Sequence, residues 1–355
     1  PPSGFLALCT DNLSDPEIKL PASEAFNTVL YTGNTPSSQA VTGVGFEPDW
    51  VWLKSRSATS GHIVQDVVRG ATTRLETNST GIEVTDATYV ASFDSDGFTV
   101  GTNTDTNASG GTFVAWSWKA GTSFDPATAG TVASGSGSAN ATAGFSIVKY
   151  PGSASDVTVG HGLSQAPELI IIKNLDATVG WPVYAEPLGN AKRLELDDPY
   201  QEQATGHWVS TSPTASVFTV DGGQSAVNNS GDDFIAYCFH SVEGYSRVGS
   251  WVATGSDPGP FFYCGFKPAF VMVKNISRGT SNWWIMDNKR STYNMDAKVL
   301  FPNSNQAEAS GRSECDFLSN GVKFRGVVNP ESNYSTDTYL IYAVAENPFK
   351  YSNAR

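Results

Sequence analysis

One short pattern occurs three times and constrains the fold more than any other feature. It reads GFEPDWVWLK from Gly45 to Lys54, GLSQAPELIIIK from Gly162 to Lys173, and GFKPAFVMVK from Gly265 to Lys274. In each copy a proline opens an apolar run and a lysine six residues later closes it: Pro48 and Lys54, Pro167 and Lys173, Pro268 and Lys274. Proline fits the first position of a strand, where its missing N–H costs little. The runs are β-branched or aromatic, of strand length, and apolar on both alternating faces. Each therefore predicts a strand buried on two sides.

Three further landmarks keep the same order. An opening strand begins at Phe26 (FNTVLYTG), Phe145 (FSIVKYPG) and Tyr245 (YSRVGSW), 22, 22 and 23 residues before the proline. Downstream, a basic residue precedes an aliphatic one: Arg74-Leu75-Glu76, Arg193-Leu194-Glu195 and Lys298-Val299-Leu300. An aromatic closing strand follows, with Trp116, Tyr237 and Tyr342 lying 68, 70 and 74 residues beyond the proline. Landmarks in fixed order at near-constant spacing mark one unit used three times.

The chain is therefore expected to be all-β, built as three tandem β-sandwich-like repeats over residues 25–121, 144–243 and 244–346. Residues 1–24 read as the end of an upstream domain or a linker, and 347–355 as a C-terminal tail. Residues 122–143 are rich in Gly, Ser, Ala and Thr, the composition of a flexible linker or extended loop. With that stretch between repeats one and two, repeats two and three are expected to couple more tightly. Asp96-Gly97 ahead of FTV signals a hairpin, and NTDTNASGGTF a second one. Only Gln306–Ser313 has the cast of a short helix.

Charge narrows the choice of partners. Lys and Arg number 22 against 35 Asp and Glu, a net charge of −13. Such a chain is a poor match for nucleic acid. No run approaches the ~20 apolar residues of a membrane helix, so no membrane insertion is expected. The first residues lack the basic start and apolar core of a signal peptide. Cys9, Cys238, Cys264 and Cys315 are scattered without a C-x-x-C pair. They read as buried free thiols, with a Cys238–Cys264 disulfide left open.

Candidate chemistry is sparse. Asn103, Asp105 and Asn107 alternate like the start of a calcium loop, but Ala108 and Val114 stand where the loop needs Gly and Glu. The four histidines, His62, His161, His207 and His240, have no metal-ligand spacing and no nucleophile motif. Asp197-Asp198 and Asp232-Asp233 are adjacent, and adjacent strand residues point to opposite faces, unlike a glycosidase pair. The expectation is a non-enzymatic protein with no metal and no cofactor. The three lysines are expected to satisfy nearby acids or carbonyls at strand ends.

The aromatics in turn-rich stretches stand out. Trp181, Tyr184 and Trp208, with Tyr200, lie in repeat two, and Trp283, Trp284 and Tyr293 in repeat three. Trp181 follows its lysine by eight residues, where repeat one has His62. Such rings stack on sugar faces, and equally fill cores and interfaces. Trp181, Tyr184, Trp208, Trp283, Trp284 and Tyr293 are the candidate glycan-binding residues.

The opening PPSGFLALCTDNL resembles the end of the SPRY-type, concanavalin-like β-sandwich of structural proteins from tailed bacteriophages, especially marine ones. DFIAYCFHSVEGYSRVGSW, GFKPAFVMVK, NWWIMDNKR and AENPFKYSNAR resemble the region that follows it there. The resemblance covers most of the chain, densest from Phe234 to Arg355. It implies a virion-surface component assembled in the host cytoplasm: a tail fibre or tail-tip adhesin contacting host-surface polysaccharide and other virion proteins. The structural alternatives are capsid decoration, head fibre or tail collar, and a glycan-cleaving spike is the third. It also implies a homo-oligomer, a trimer by analogy with phage fibres.

Overall fold

The computed structural model describes residues 24–294, 298–312, 314–326 and 330–346. Among the described residues strands hold 42% and helices 5%, in several antiparallel sheets, so the fold is all-β as expected. The apolar runs form the strands Trp50–Ser55, Leu169–Asn174 and Pro268–Asn275, each buried along its whole length.

Each of these anchor strands lies in a large sheet with one strand order. The opening strand pairs with the closing strand, the closing strand with the anchor, and the anchor with a fourth strand. The opening and closing strands are Phe26–Thr32 with Thr112–Trp118, Phe145–Pro151 with Asp233–Phe239, and Ser246–Val252 with Thr338–Ala345. The register is also shared. The residue four beyond the proline faces the closing aromatic every time: Trp52 opposite Trp116, Ile171 opposite Tyr237, Met272 opposite Tyr342. Each large sheet is covered by a smaller outer sheet of two or three strands. One large and one small sheet are called a module below.

The period of two explains how both faces are buried. Trp50 and Trp52, Leu169 and Ile171, and Phe270 and Met272 point into a single core shared by all three modules. The alternate residues, Val51 and Leu53, Ile170 and Ile172, Val271 and Val273, point to their own outer sheet. Aromatic contacts cross every junction of the shared core. Trp50 stacks on Tyr237 at 4.5 Å, Phe239 meets Tyr342 at 4.9 Å, and Trp116 meets Phe270 edge-on at 5.9 Å. The void left among Trp50, Ile171, Met272 and their neighbours is only about 10 Å³, roughly one water probe.

Several expectations are corrected. The stretch 122–143 is not a free tether. Thr122–Phe124 and Ser136–Asn140 are strands that extend the second large sheet from its opening strand. The small residues there serve close packing: a Cβ on Gly137 would lie 2.4 Å from the Phe124 ring. With that stretch folded, modules one and two meet across the shared core as modules two and three do. Residues 306–312 form no helix, with Glu308 N–H on Arg56 O at 2.9 Å and Ala309 bridged to Val299. The expected second hairpin is a one-turn helix, Thr104–Asn107, capped by Asn103. The first hairpin forms, between Val90–Asp94 and Gly97–Val100. In the third module Leu300 faces Ile285, as Leu75 faces Val64 and Leu194 faces Val183, one residue beyond the match that spacing implied.

Cys238, Cys264 and Cys315 are buried free thiols. Cys238 lies in the core of module two and Cys264 in that of module three, which rules out their pairing. Cys9, residues 1–23 and the tail 347–355 lie outside the described residues.

Candidate functional site at the seams between modules

The anchor lysines have the same strand parity as the residues of the shared core, so they end up at its margin, where modules meet. All three are fully buried. Lys54 Nζ donates to Ser55 O at 2.8 Å and to Asn305 O of module three at 3.5 Å. Lys173 Nζ donates to Asn174 O at 2.7 Å and Ala177 O at 3.1 Å. Lys274 Nζ donates to Pro199 O of module two at 2.7 Å and to Ser281 O. Backbone carbonyls hold each ammonium group. Burial pulls Lys54 and Lys173 down to about 8 and Lys274 down to about 7, opposed by the fields of Asp105 and Glu308, Asp197, and Asp198 respectively.

A second position repeats beside each lysine. Two residues before Val64, Val183 and Ile285 stand His62, Trp181 and Trp283. Their backbone N–H groups donate within the module to Asn78 Oδ1 at 2.6 Å, Asp197 Oδ1 at 2.8 Å and Asn303 Oδ1 at 3.0 Å. Their rings reach into the next module. Trp181 Nε1 donates to Ser79 O of module one at 2.9 Å, and Trp283 Nε1 to Glu195 O of module two at 2.8 Å. At the remaining junction Thr77 Oγ1 donates to Pro302 O of module three at 2.8 Å. His62 accepts at Nδ1 from Trp52 Nε1 at 3.0 Å, which places its own proton on Nε2. Burial holds His62 well below its usual range, helped by Lys54 and Arg290 and opposed by the Phe301 backbone.

A third set joins closing strands to neighbours. Tyr237 of module two donates to Asp66 Oδ2 of module one at 2.8 Å, and Trp116 Nε1 of module one to Asp287 Oδ2 of module three at 3.0 Å. Each acid also holds a buried arginine three residues on, Arg69 at 2.7 Å and Arg290 at 2.6 Å. The matching position in module two is Ala185. All these contacts run the same way round: module two onto one, one onto three, three onto two. A head-to-tail interface with that sense closes into a ring, here within one chain.

Five of the six candidate glycan residues are consumed by this packing. Trp181 and Trp283, each 1% exposed, fill seams. Trp284, 0% exposed, lies in the core of module three with Nε1 on Glu331 O at 2.6 Å. Tyr184 and Trp208, 3% and 2% exposed, meet edge-on in the core of module two. No face of these five rings is open to a sugar, because the shared core and the cores of modules two and three turn stretches that look loop-like into interior. Tyr293 alone is open, at 81%.

Residues 21–348 match the family described as Domain of unknown function (DUF7483). The chain belongs to this family. No curated protein matches it.

The acids of this DUF7483 chain also serve the frame. Asp197 accepts from Trp181 N–H, Asp198 from Tyr200 N–H at 2.9 Å, Asp232 from Asn174 Nδ2 at 2.8 Å, and Asp233 pairs with Lys149 at 2.9 Å. Glu195 is pushed up to about 7 by burial, with Arg193 pulling it back from 2.6 Å. Asn103 bonds Asp105 N–H with its side chain, and among the described residues no cluster of His, Cys, Asp or Glu is arranged for a metal.

One repeated group escaped the sequence reading. Asn107, Asn228 and Asn333 are fully buried, and each clamps the loop after its opening strand. Asn107 Oδ1 accepts from Asn34 N–H at 2.8 Å, and Nδ2 donates to Ser37 O at 2.8 Å. Asn228 does the same with Ser153 N–H at 2.6 Å and Ser155 O at 2.9 Å, and Asn333 with Thr254 N–H at 3.1 Å and Ser256 O at 2.9 Å. Each stands nine residues before Trp116, Tyr237 or Tyr342, a constant spacing that was open to view.

Proposed function

We propose that this DUF7483 chain is a non-enzymatic structural component of a bacteriophage virion: a decoration, head-fibre or collar subunit held at the particle surface by other virion proteins. The observation that carries the reading is where the reactive and aromatic side chains go. Lys54, Lys274, two Asp–Arg pairs and the indoles of Trp181 and Trp283 are spent on closing a ring of modules. The virion setting comes from the resemblance of PPSGFLALCTDNL and of Phe234–Arg355. A structural role is favoured over host-glycan adhesion because five of the six candidate rings are buried.

The test is to label purified particles of a phage that encodes the chain with an antibody against it and image them. Label at one fixed place on the particle is the expected result. Abundant protein in infected cells with none on purified particles would overturn the reading. In this reading the three-fold closure expected of three chains is made by three modules. The mass in solution at micromolar concentration is then expected to be that of one chain, and a stable trimer would remove this part of the proposal.

A further inference from the structure

The three outer sheets share a plan but end differently at one edge. Their matching strands are Gln39–Thr42, Val157–Gly160 and Phe261–Tyr263. In each, a matching residue points inward, opposite an apolar partner: Val41 with Phe98, Val159 with Phe218, Phe262 with Val322. The flanking residues point outward. They are Ala40 and Thr42, Thr158 and Gly160, but Phe261 and Tyr263. Modules one and two therefore show that the fold needs nothing large there. Phe261 and Tyr263 are 41% and 65% exposed.

The backbone of this third strand is open as well. Phe324 N–H donates to Pro260 O, and Cys264 N–H to Asn320 O, both at 3.0 Å. Residues 260, 262 and 264 thus turn their polar groups toward Gly321–Phe324, and Phe261 and Tyr263 turn theirs away. Among the described residues no strand pairs with that side.

Module two shows what such an edge takes. Thr158, the counterpart of Phe261, also turns its backbone away from its partner strand. Thr131 N–H donates to Thr158 O at 2.7 Å, and Thr158 N–H donates to Thr131 Oγ1 at 2.9 Å. Gly130 lies so close that a Cβ there would sit 2.3 Å from Thr158 O. The edge is covered by the chain's own Gly- and Thr-bearing segment, which bends past it after the 3-10 turn Pro126–Thr128 and takes up Thr158 through the backbone of Thr131 and Val132 and the Thr131 hydroxyl.

We propose that the open edge at Phe261–Tyr263 docks an extended Gly/Thr-rich segment of a partner polypeptide by strand addition. Unpaired N–H and C=O groups along an edge are a ready template for another chain. The rings add apolar grip beside it. A Cβ on Gly321 would lie 2.7 Å from the Phe261 ring, so that ring folds over the sheet face and leaves the edge groups free. The inference stands apart from the virion reading, since it rests on this edge alone.

The probe is a labelled peptide with the sequence of residues 124–134, FDPATAGTVAS, titrated into the full chain and followed by anisotropy and amide hydrogen exchange. Binding is expected to slow exchange at the Phe261 and Tyr263 amides. Phe261→Pro removes the outward N–H at an edge that tolerates proline, and is expected to weaken binding at least tenfold with an unchanged melt. Phe261→Thr, the residue of module two, keeps the backbone and is expected to lose less. Unchanged exchange in the wild-type chain at millimolar peptide would overturn the proposal, and this arm needs no variant to fold. Equal binding by Phe261→Pro would do the same. If an N-acetylglucosamine hexasaccharide bound at these rings without slowing the two amides, and the peptide did not compete, the site would be a sugar platform and strand addition would be wrong.

Discussion

The hydroxyl of Tyr237 in the second module donates to Asp66 in the first at 2.8 Å, and the same carboxylate holds Arg69 at 2.7 Å. All three side chains are buried. Burial pushes the Tyr237 phenol well above its usual range, so it stays a donor at any working pH. Asp66→Ala leaves Arg69 charged and buried with only Glu83, at 3.5 Å, as an acidic partner. A loss of roughly 3–5 kcal/mol is expected, read from the urea midpoint. Tyr237→Phe removes one donor to a charged acceptor, and a smaller loss of about 1.5–3 kcal/mol is expected.

Trp181→Ala and Trp284→Ala are expected to destabilise by roughly 3–5 kcal/mol each, the usual cost of emptying a packed aromatic site. A thermal melt reads both. Tyr293→Ala, at an 81% exposed position, is expected to leave the melt unchanged. A stable Trp181→Ala protein would mean that the seam does not depend on that indole.

Asn228→Ala strips partners from Ser153 N–H and Ser155 O. Both groups are only partly buried, so water meets some of the loss and about 1–3 kcal/mol in all is expected. The same change at Asn107 or Asn333 is expected to act alike. Native-state hydrogen exchange is expected to rise first in the loop after the matching opening strand.

The lysines set a direction for pH. Folded Lys274 titrates near 7 and Lys54 and Lys173 near 8, against 10.5 unfolded. Between those values the unfolded chain binds more protons, so stability rises with pH from about 7 to 10.5. Conversely it is lost as pH falls from 10.5 toward 7. Glu195, raised from 4.5 to about 7, acts oppositely: its contribution is full below 4.5 and is lost as pH rises to 7. Lys274→Met is expected to flatten the alkaline slope, measured as urea midpoints from pH 7 to 10.

The strands were legible because apolar residues fill both parities of each anchor, and that admits only an element covered on two sides. What covers the second face was not legible. Trp50 and Ile171 meet residues of other modules, and no local pattern reports a neighbour more than a hundred residues away. For the same reason the turn-rich settings of Trp181 and Trp283 leave core, interface and sugar contact all open to a reading of the sequence. The 122–143 stretch was misread because flexible tethers and tightly packed edges call for the same small residues. Lys54, Lys173 and Lys274 are legible as strand-end groups satisfied by acids or carbonyls, and the structure supplies carbonyls. The asparagine clamp was in plain sight at constant spacing.

The position shared by His62, Trp181 and Trp283 has a consequence for descent. A ring of three identical chains must carry the same residue in all three places, so any substitution is tried three times over in every ring. Once three units are joined in one reading frame, each place mutates alone. A histidine at one junction, an alanine at 185 where the others keep aspartate, and an added hairpin on one edge are then changes that arrive singly. Symmetry stays in the backbone while the sequence is released from it.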